Sequence, residues 1–131
     1  MHTFSVLVVD DEKDFLETVV KRLEQRKINV TGVGSGEDAL EQLKKKEFSV
    51  IILDVKMPGG MDGIEALRII KKMQPNAEVI LLTGHASVET SIEGLKLGAF
   101  DYVLKPVKLE DLLARVYAAL KRKGGDQKPQ A

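Results

Sequence analysis

The chain predicts an α/β fold, a doubly wound (βα)5 unit with a mostly parallel five-stranded sheet, and three observations carry that prediction. Two short, unbroken apolar runs, Val6-Leu7-Val8-Val9 and Val50-Ile51-Ile52-Leu53, read as parallel strands buried on both faces. Strand-like runs alternate with one-face helical patterns from end to end, so each right-handed crossover has a helix to cover the sheet. The 131 residues are 44% hydrophobic, enough to bury roughly two thirds of the unfolded surface in one core.

The elements follow in order. Strand one spans about Ser5 to Val9, and the next helix carries Phe15, Leu16, Val19, Val20 and Leu23 on one face. Asn29 to Gly34 forms a short second strand. Ser35-Gly-Glu-Asp38 then places an N-cap with an acid three residues on, ahead of a helix with Ala39, Leu40 and Leu43 inward. Strand three ends at Asp54, and Met57-Pro58-Gly59-Gly60-Met61-Asp62-Gly63 is a loop. Helix three turns Ile64, Leu67, Ile70 and Met73 inward and stops at Pro75. Strand four, Val79 to Leu82, ends on Thr83-Gly84. Helix four runs from about Ser87 to Lys96, with Gly98 as a left-handed C-cap. Strand five, Tyr102 to Leu104, ends on Lys105-Pro106, and a last helix stacks Leu109, Leu112, Leu113, Val116 and Leu120 on one stripe. Residues 1–123 form one domain, and 124–131 read as a polar tail or linker stump.

Several function classes are excluded by composition. Twenty acidic and twenty basic residues balance to zero, which gives no general attraction for nucleic acid. Without cysteine there are no disulfides, thiol chemistry or zinc–thiolate sites. No apolar run approaches the roughly 20 residues that cross a bilayer, and the start lacks the pattern of a secretion signal, so a cytoplasmic location is the default expectation.

The chemistry gathers at strand ends. Ligands of open α/β sheets bind outside the carboxyl ends of the strands, where the strand order reverses. Strand one delivers Asp10 and Asp11 to that edge, strand three Asp54, strand four Thr83 and strand five Lys105. Three crowded carboxylates raise one another's pKa unless a cation sits among them. An all-oxygen set points to Mg²⁺, with Mn²⁺ and Ca²⁺ as alternatives. A carboxylate flanked by a metal, a hydroxyl and an ammonium suits transfer of a phosphoryl group to an aspartate, whose charged oxygens need such partners. Asp54 would be the nucleophile, and as an ionised carboxylate it needs no general base.

These residues carry a resemblance. Val-Val-Asp10-Asp11-Glu12, Leu53-Asp54-Val-Lys-Met57-Pro58 with Met61-Asp62-Gly63, Thr83-Gly84-His85-Ala86, and Asp101-Tyr102-Val103-Leu104-Lys105-Pro106 together resemble the receiver domain of bacterial two-component response regulators. The likeness spans nearly the whole chain, in order and at matching spacing. It implies the flavodoxin-like strand order 2-1-3-4-5 and a phosphoryl group taken onto Asp54 from a histidine kinase or phosphotransfer protein. It further implies Mg²⁺ on Asp11, Asp54 and the Lys56 backbone carbonyl, with Asp10 supporting through water. Thr83 and Lys105 would contact the phosphoryl group, and Thr83 and Tyr102 would rearrange together, changing the face built from helix four, strand five and helix five. His85, and with it the Lys56 side chain, would tune how long the phosphate survives. Lys105-Pro106 would be cis, against a generic X–Pro cis frequency of about 5–6%. A signalling role of this kind is not enzymatic beyond self-phosphorylation and autodephosphorylation.

One departure stands out. The family usually has one residue between the proline and Met-Asp-Gly, whereas Gly59 and Gly60 both intervene here. Local backbone variation is expected, with the metal site kept because Lys56 precedes it.

Each feature alone has a plainer reading. Asp10-Asp11 fits an N-cap pair, Lys105 a solvated lysine, Thr83 a strand terminus and Tyr102 a half-buried strand residue. His85 fits an exposed loop, His2 a disordered start, and Lys44-Lys45-Lys46 and Lys71-Lys72 the solvated C-terminal turns of helices. The joint placement at one edge defeats the plain readings of the acids, Thr83 and Lys105. A haloacid-dehalogenase-type phosphohydrolase would need an Asp-x-Asp pair after strand one, which is missing. A flavodoxin-like flavin carrier would need a hydroxyl- and Gly-rich phosphate loop where Asp11-Glu12-Lys13-Asp14 stands. Expected partners are therefore a kinase, a downstream effector domain or target, and a phosphorylation-promoted second copy, with neither nucleic acid nor membrane.

Overall fold

The computed structural model describes residues 4–57, 60–84 and 88–127. His2, Pro58, Gly59, His85 and the last four residues lie outside the described residues. Strands β1 (Ser5–Val9), β2 (Asn29–Val33), β3 (Val50–Asp54), β4 (Glu78–Thr83) and β5 (Asp101–Leu104) alternate with helices α1 (Lys13–Gln25), α2 (Gly36–Lys45), α3 (Gly63–Met73), α4 (Val88–Lys96) and α5 (Leu109–Gln127). The strands form one parallel sheet in the order β2-β1-β3-β4-β5, as expected.

Because side chains alternate across a strand, the two apolar runs feed two separate cores. Leu7, Val9, Ile51, Leu53, Val79 and Leu81 face Ala39 and Leu43 of α2 and Ala66, Leu67 and Ile70 of α3. Val6, Val8, Val50, Ile52, Ile80 and Leu82 face Val19 and Leu23 of α1 and Leu112, Leu113 and Val116 of α5. A fully buried side chain of this kind contributes roughly 1.5–3 kcal/mol, so both halves of each run are held inward. Both halves of an unbroken apolar run therefore have a helix layer to bury them, which is why neither alternates with polar residues.

Helix starts follow the sequence. Ser35 accepts the Asp38 backbone N–H at 3.0 Å, and Asp62 accepts that of Glu65 at 2.9 Å. Both bonds satisfy amides that a first turn leaves without partners. Gly98 takes φ +110, a backbone region that only glycine enters freely.

Three details depart from the expectations. Met73 is 38% exposed, because it is the last residue of α3 and its turn has run past the sheet. Lys71 is not a solvated end: its amine donates to the carbonyls of Pro75 at 3.0 Å and Ala77 at 2.9 Å. Helix α5 continues through Gly124 and Gly125 to Gln127. Glycine only lowers helix propensity, by about 1 kcal/mol per residue, and has neither proline's missing donor nor its clash.

Candidate functional site at the carboxyl edge of the sheet

The strand order reverses between β1 and β3, with β2 on one side and β4 on the other. Pairing in register Val9 with Leu53 brings the residues that follow, Asp10 and Asp54, side by side at the carboxyl edge. The crevice expected at a switch point is therefore lined by acids. Ligand oxygens of Asp10, Asp11 and Asp54 all lie within 4.8 Å of one another. Asp10 and Asp54 are buried, at 0% and 4% exposure, while Asp11 is exposed.

Each buried carboxylate has one oxygen held and one turned to the cluster. Asp10 Oδ1 accepts the Glu12 backbone N–H at 2.8 Å, and Asp54 Oδ1 accepts that of Lys56 at 3.1 Å. The Asp10–Glu12 bond fixes a turn before α1, and the N-cap residue itself is Glu12, without a side-chain cap. The second oxygens meet Lys105, which directly follows β5 and precedes Pro106 in a cis peptide. Its Nζ lies 3.3 Å from Asp54 Oδ2 and 3.1 Å from Asp10 Oδ2. The first contact is a hydrogen bond; the second is a charge contact that leaves Asp10 Oδ2 buried without a hydrogen-bonding partner.

Burial sets the electrostatics. Desolvation pushes the Asp54 carboxyl up to about 6, with the neighbouring Asp10 charge adding to it, against the Lys56 amide and Lys105. Asp10 is raised as well, chiefly by its own burial. Burial alone would lower the Lys105 amine, but its bond to Glu12 and the charges of Asp54 and Asp10 outweigh that and raise it. The site is therefore a set of acids only partly neutralised by one ammonium. That imbalance, together with a buried Asp10 Oδ2 that lacks a hydrogen bond, fits a hard divalent cation, for which three carboxylates and no imidazole are an oxygen donor set.

Thr83 and Tyr102 are placed at the same edge with different freedoms. Thr83 is buried, receives the Lys105 backbone N–H on its carbonyl at 2.7 Å, and donates its hydroxyl to the Gly84 carbonyl at 3.1 Å. Tyr102 is half-buried on β5 against the core that α2 and α3 cover. The Lys56 side chain is exposed, while its backbone is anchored by the amide bond to Asp54. The structure thus brings together Asp10, Asp11, Asp54 and Lys105, and sets Thr83 at the end of the adjacent strand. It also adds Glu12, whose Oε1 is the nearest acid oxygen to Lys105 Nζ at 2.7 Å. Its place directly after an acid pair was the only hint in the sequence.

Comparison with known proteins decides the family. The response regulator receiver domain model matches residues 6–117. The chain belongs to the response regulator receiver family. Among curated relatives, it is 38% identical over 119 residues to the uncharacterized transcriptional regulatory protein YkoG of Bacillus subtilis, covering 91% of this chain and 52% of that protein. It is 39% identical over 115 residues to the transcriptional regulatory protein ZraR of Escherichia coli K12, covering 88% of this chain and 26% of that one. The receiver thus spans about half of one relative and about a quarter of the other. Among solved structures, a CheY-like response regulator receiver domain protein from Methanospirillum hungatei superposes with a TM-score of 0.89 at 30% identity, over 95% of this chain and 99% of that one. The receiver domain of NtrX from Brucella abortus gives 0.84 at 30% identity, over 88% and 98%. Among the described residues of this receiver, no helix is long and apolar enough to cross a membrane.

Proposed function

We propose that Asp54 accepts a phosphoryl group from the phosphohistidine of a kinase or phosphotransfer protein, and that the receiver signals through the surface of α4, β5 and α5. The observation that carries this reading is the pairing of a buried Asp54 carboxylate with the Lys105 ammonium 3.3 Å away at the sheet's switch point. An Asp54 oxygen would attack phosphorus as the P–N bond breaks, the bonding pair leaving with the imidazole nitrogen, which takes a proton from solvent. Lys105 would meet one equatorial phosphoryl oxygen, and Thr83, on giving up the Gly84 carbonyl, another. Asp11, Asp54 and the Lys56 carbonyl would hold Mg²⁺ or Mn²⁺ directly, with Asp10 supporting it through water. When bound, the ion neutralises charge that builds on the transferred group.

The same reading assigns the remaining residues. Tyr102, an aromatic with a polar tip, is suited to shift as Thr83 does. His85 and the Lys56 side chain would modulate phosphate lifetime. Exposed Ile92, Leu95 and Leu104 support pairing of two phosphorylated copies, or docking of an effector, on the signalling face. The role is that of a cytoplasmic phosphoacceptor and not of an enzyme acting on a separate substrate, with residues 1–123 as the receiver unit and 124–131 as a polar tail or linker stump. Neither nucleic acid nor membrane is a direct partner.

Intact mass after incubation with acetyl phosphate tests the core of this reading. A Mg²⁺-dependent phosphoryl increment that disappears in Asp54→Asn supports it. An unmodified wild type, or an increment that persists in the variant, overturns it.

A further inference from the structure

We infer that Glu12 is a positioning residue that holds Lys105 in a resting seat, and that release from this seat limits how readily Asp54 takes a phosphoryl group. The inference rests on the phosphoacceptor reading of Asp54. Glu12 Oε1 is 2.7 Å from Lys105 Nζ, closer than Asp10 or Asp54. Phe15, one turn into α1, places its ring 5.4 Å beneath the same ammonium. A cation over a ring face and against a carboxylate is held from two sides, one at the N-cap of α1 and one in its first turn.

Glu12 is free to serve here because its other duties fall on its backbone. Its N–H goes to Asp10, its carbonyl receives the Leu16 N–H, and its side chain caps nothing. Lys105 has three N–H donors, and the 2.7 Å contact commits one of them away from Asp54. A phosphoryl oxygen arriving at Asp54 competes with Glu12 for that donor. Removing Glu12 therefore speeds transfer.

The test is a double-mutant cycle with acetyl phosphate, in which an Asp54 oxygen bonds phosphorus while acetate leaves with the electrons of the broken P–O bond. Glu12→Gln is expected to raise the phosphorylation rate about two- to fivefold, the range for an ion pair whose carboxylate is exposed. Glu12→Asp, one methylene short of the ammonium, is expected to do the same, which separates reach from charge. In a Lys105→Ala background Glu12→Gln is expected to have no effect. The side-chain ammonium resonance of Lys105, measured by NMR on unphosphorylated protein, is expected to shift and exchange faster with water in Glu12→Gln. A full-sized Glu12→Gln effect without Lys105 overturns the inference, as does an unchanged rate. A wild type that takes up no phosphoryl group overturns the phosphoacceptor reading instead, and the ammonium resonance then decides the seat by itself: an unchanged signal sinks it.

Discussion

Asp10 and Asp54, one residue past β1 and at the end of β3, are both buried, and the charge on Asp10 makes Asp54 harder to ionise. The folded protein therefore keeps a carboxyl group whose pKa stands at about 6, against 3.8 in the unfolded chain. Between those values the folded state binds more protons than the unfolded one, so the stabilisation is complete below pH 3.8 and is lost as pH rises through about 6.

A neutral replacement of Asp54 should therefore act as a stabilising mutation in metal-free protein. Asp54→Asn mimics the protonated acid and is expected to add on the order of 2 kcal/mol at pH 8 and close to nothing at pH 4. Urea unfolding at both pH values, with a chelator present, checks this. Equal gains at the two pH values would mean that ionisation is not the cause.

Divalent metal should offset the same repulsion. Mg²⁺ at ten times its dissociation constant is expected to stabilise wild-type protein by about 1.4 kcal/mol at pH 8, since it binds only the folded site. The gain should fall steeply in Asp11→Ala, whose exposed carboxylate belongs to the three-acid cluster but has little to do with the core. Thermal unfolding across a Mg²⁺ titration reads this, and an undiminished gain in Asp11→Ala would place the ion elsewhere.

Lys105 should matter for transfer more than for folding. It supplies the ammonium nearest Asp54 Oδ2, so Lys105→Ala is expected to slow phosphorylation by acetyl phosphate by about 10- to 100-fold. It should also raise the pH at which Asp54 ionises, because a positive charge is removed. The rate, followed by intact mass across pH 5 to 8, tests both parts.

The sheet and the acids were legible because their signals are local. An unbroken apolar run marks a strand buried on both faces, and a carboxylate directly after it inherits a place at the sheet edge, so Asp10 and Asp54 needed only the topology to meet. Glu12 was not legible as Lys105's partner: the two are 93 positions apart, and only the three-dimensional path of α1 beside β5's exit brings them together. Lys71 was misread for a related reason. Its amine meets two carbonyls beyond its own helix, and its stem runs by Gly98, where an added Cβ would stand 3.2 Å from Lys71 Cε. Period alone put Met73 inward, because a periodic pattern carries no information about where the sheet underneath ends.

Lys71 consequently has a measurable structural role. Burial lowers its amine pKa, with Glu78 opposing and Lys123 and Arg122 adding to the effect. Lys71→Met keeps the stem but leaves the Pro75 and Ala77 carbonyls without that donor, and is expected to cost about 1–2 kcal/mol. The neighbouring Lys72→Met, without such bonds, should stay within about 0.5 kcal/mol. Urea midpoints of the two variants separate these outcomes, and equal values would return Lys71 to the solvated class.

Gly63 ties the fold to the site most directly. It opens α3 by donating its N–H to the Val55 carbonyl at 2.9 Å, and a Cβ there would stand 2.5 Å from Val55 Cα and 2.6 Å from the Asp54 carbonyl oxygen. Those neighbours are backbone and cannot rotate away, so α3 or the segment after β3 must shift. Gly63→Ala is expected to destabilise by about 1–3 kcal/mol. It should also weaken Mg²⁺ stabilisation, because the displaced segment includes Lys56, whose amide holds Asp54 Oδ1. Gly36→Ala is the matched comparison: it too is the first residue of a helix, but its added Cβ would meet the flexible Met61 side chain, with Sδ at 3.3 Å. That variant should fold within about 1 kcal/mol of wild type and keep its Mg²⁺ response, since a thioether yields where a peptide does not. Unfolding with and without Mg²⁺ on both variants decides it: equal losses would mean that the close approach of α3 to the end of β3 is not what positions Asp54.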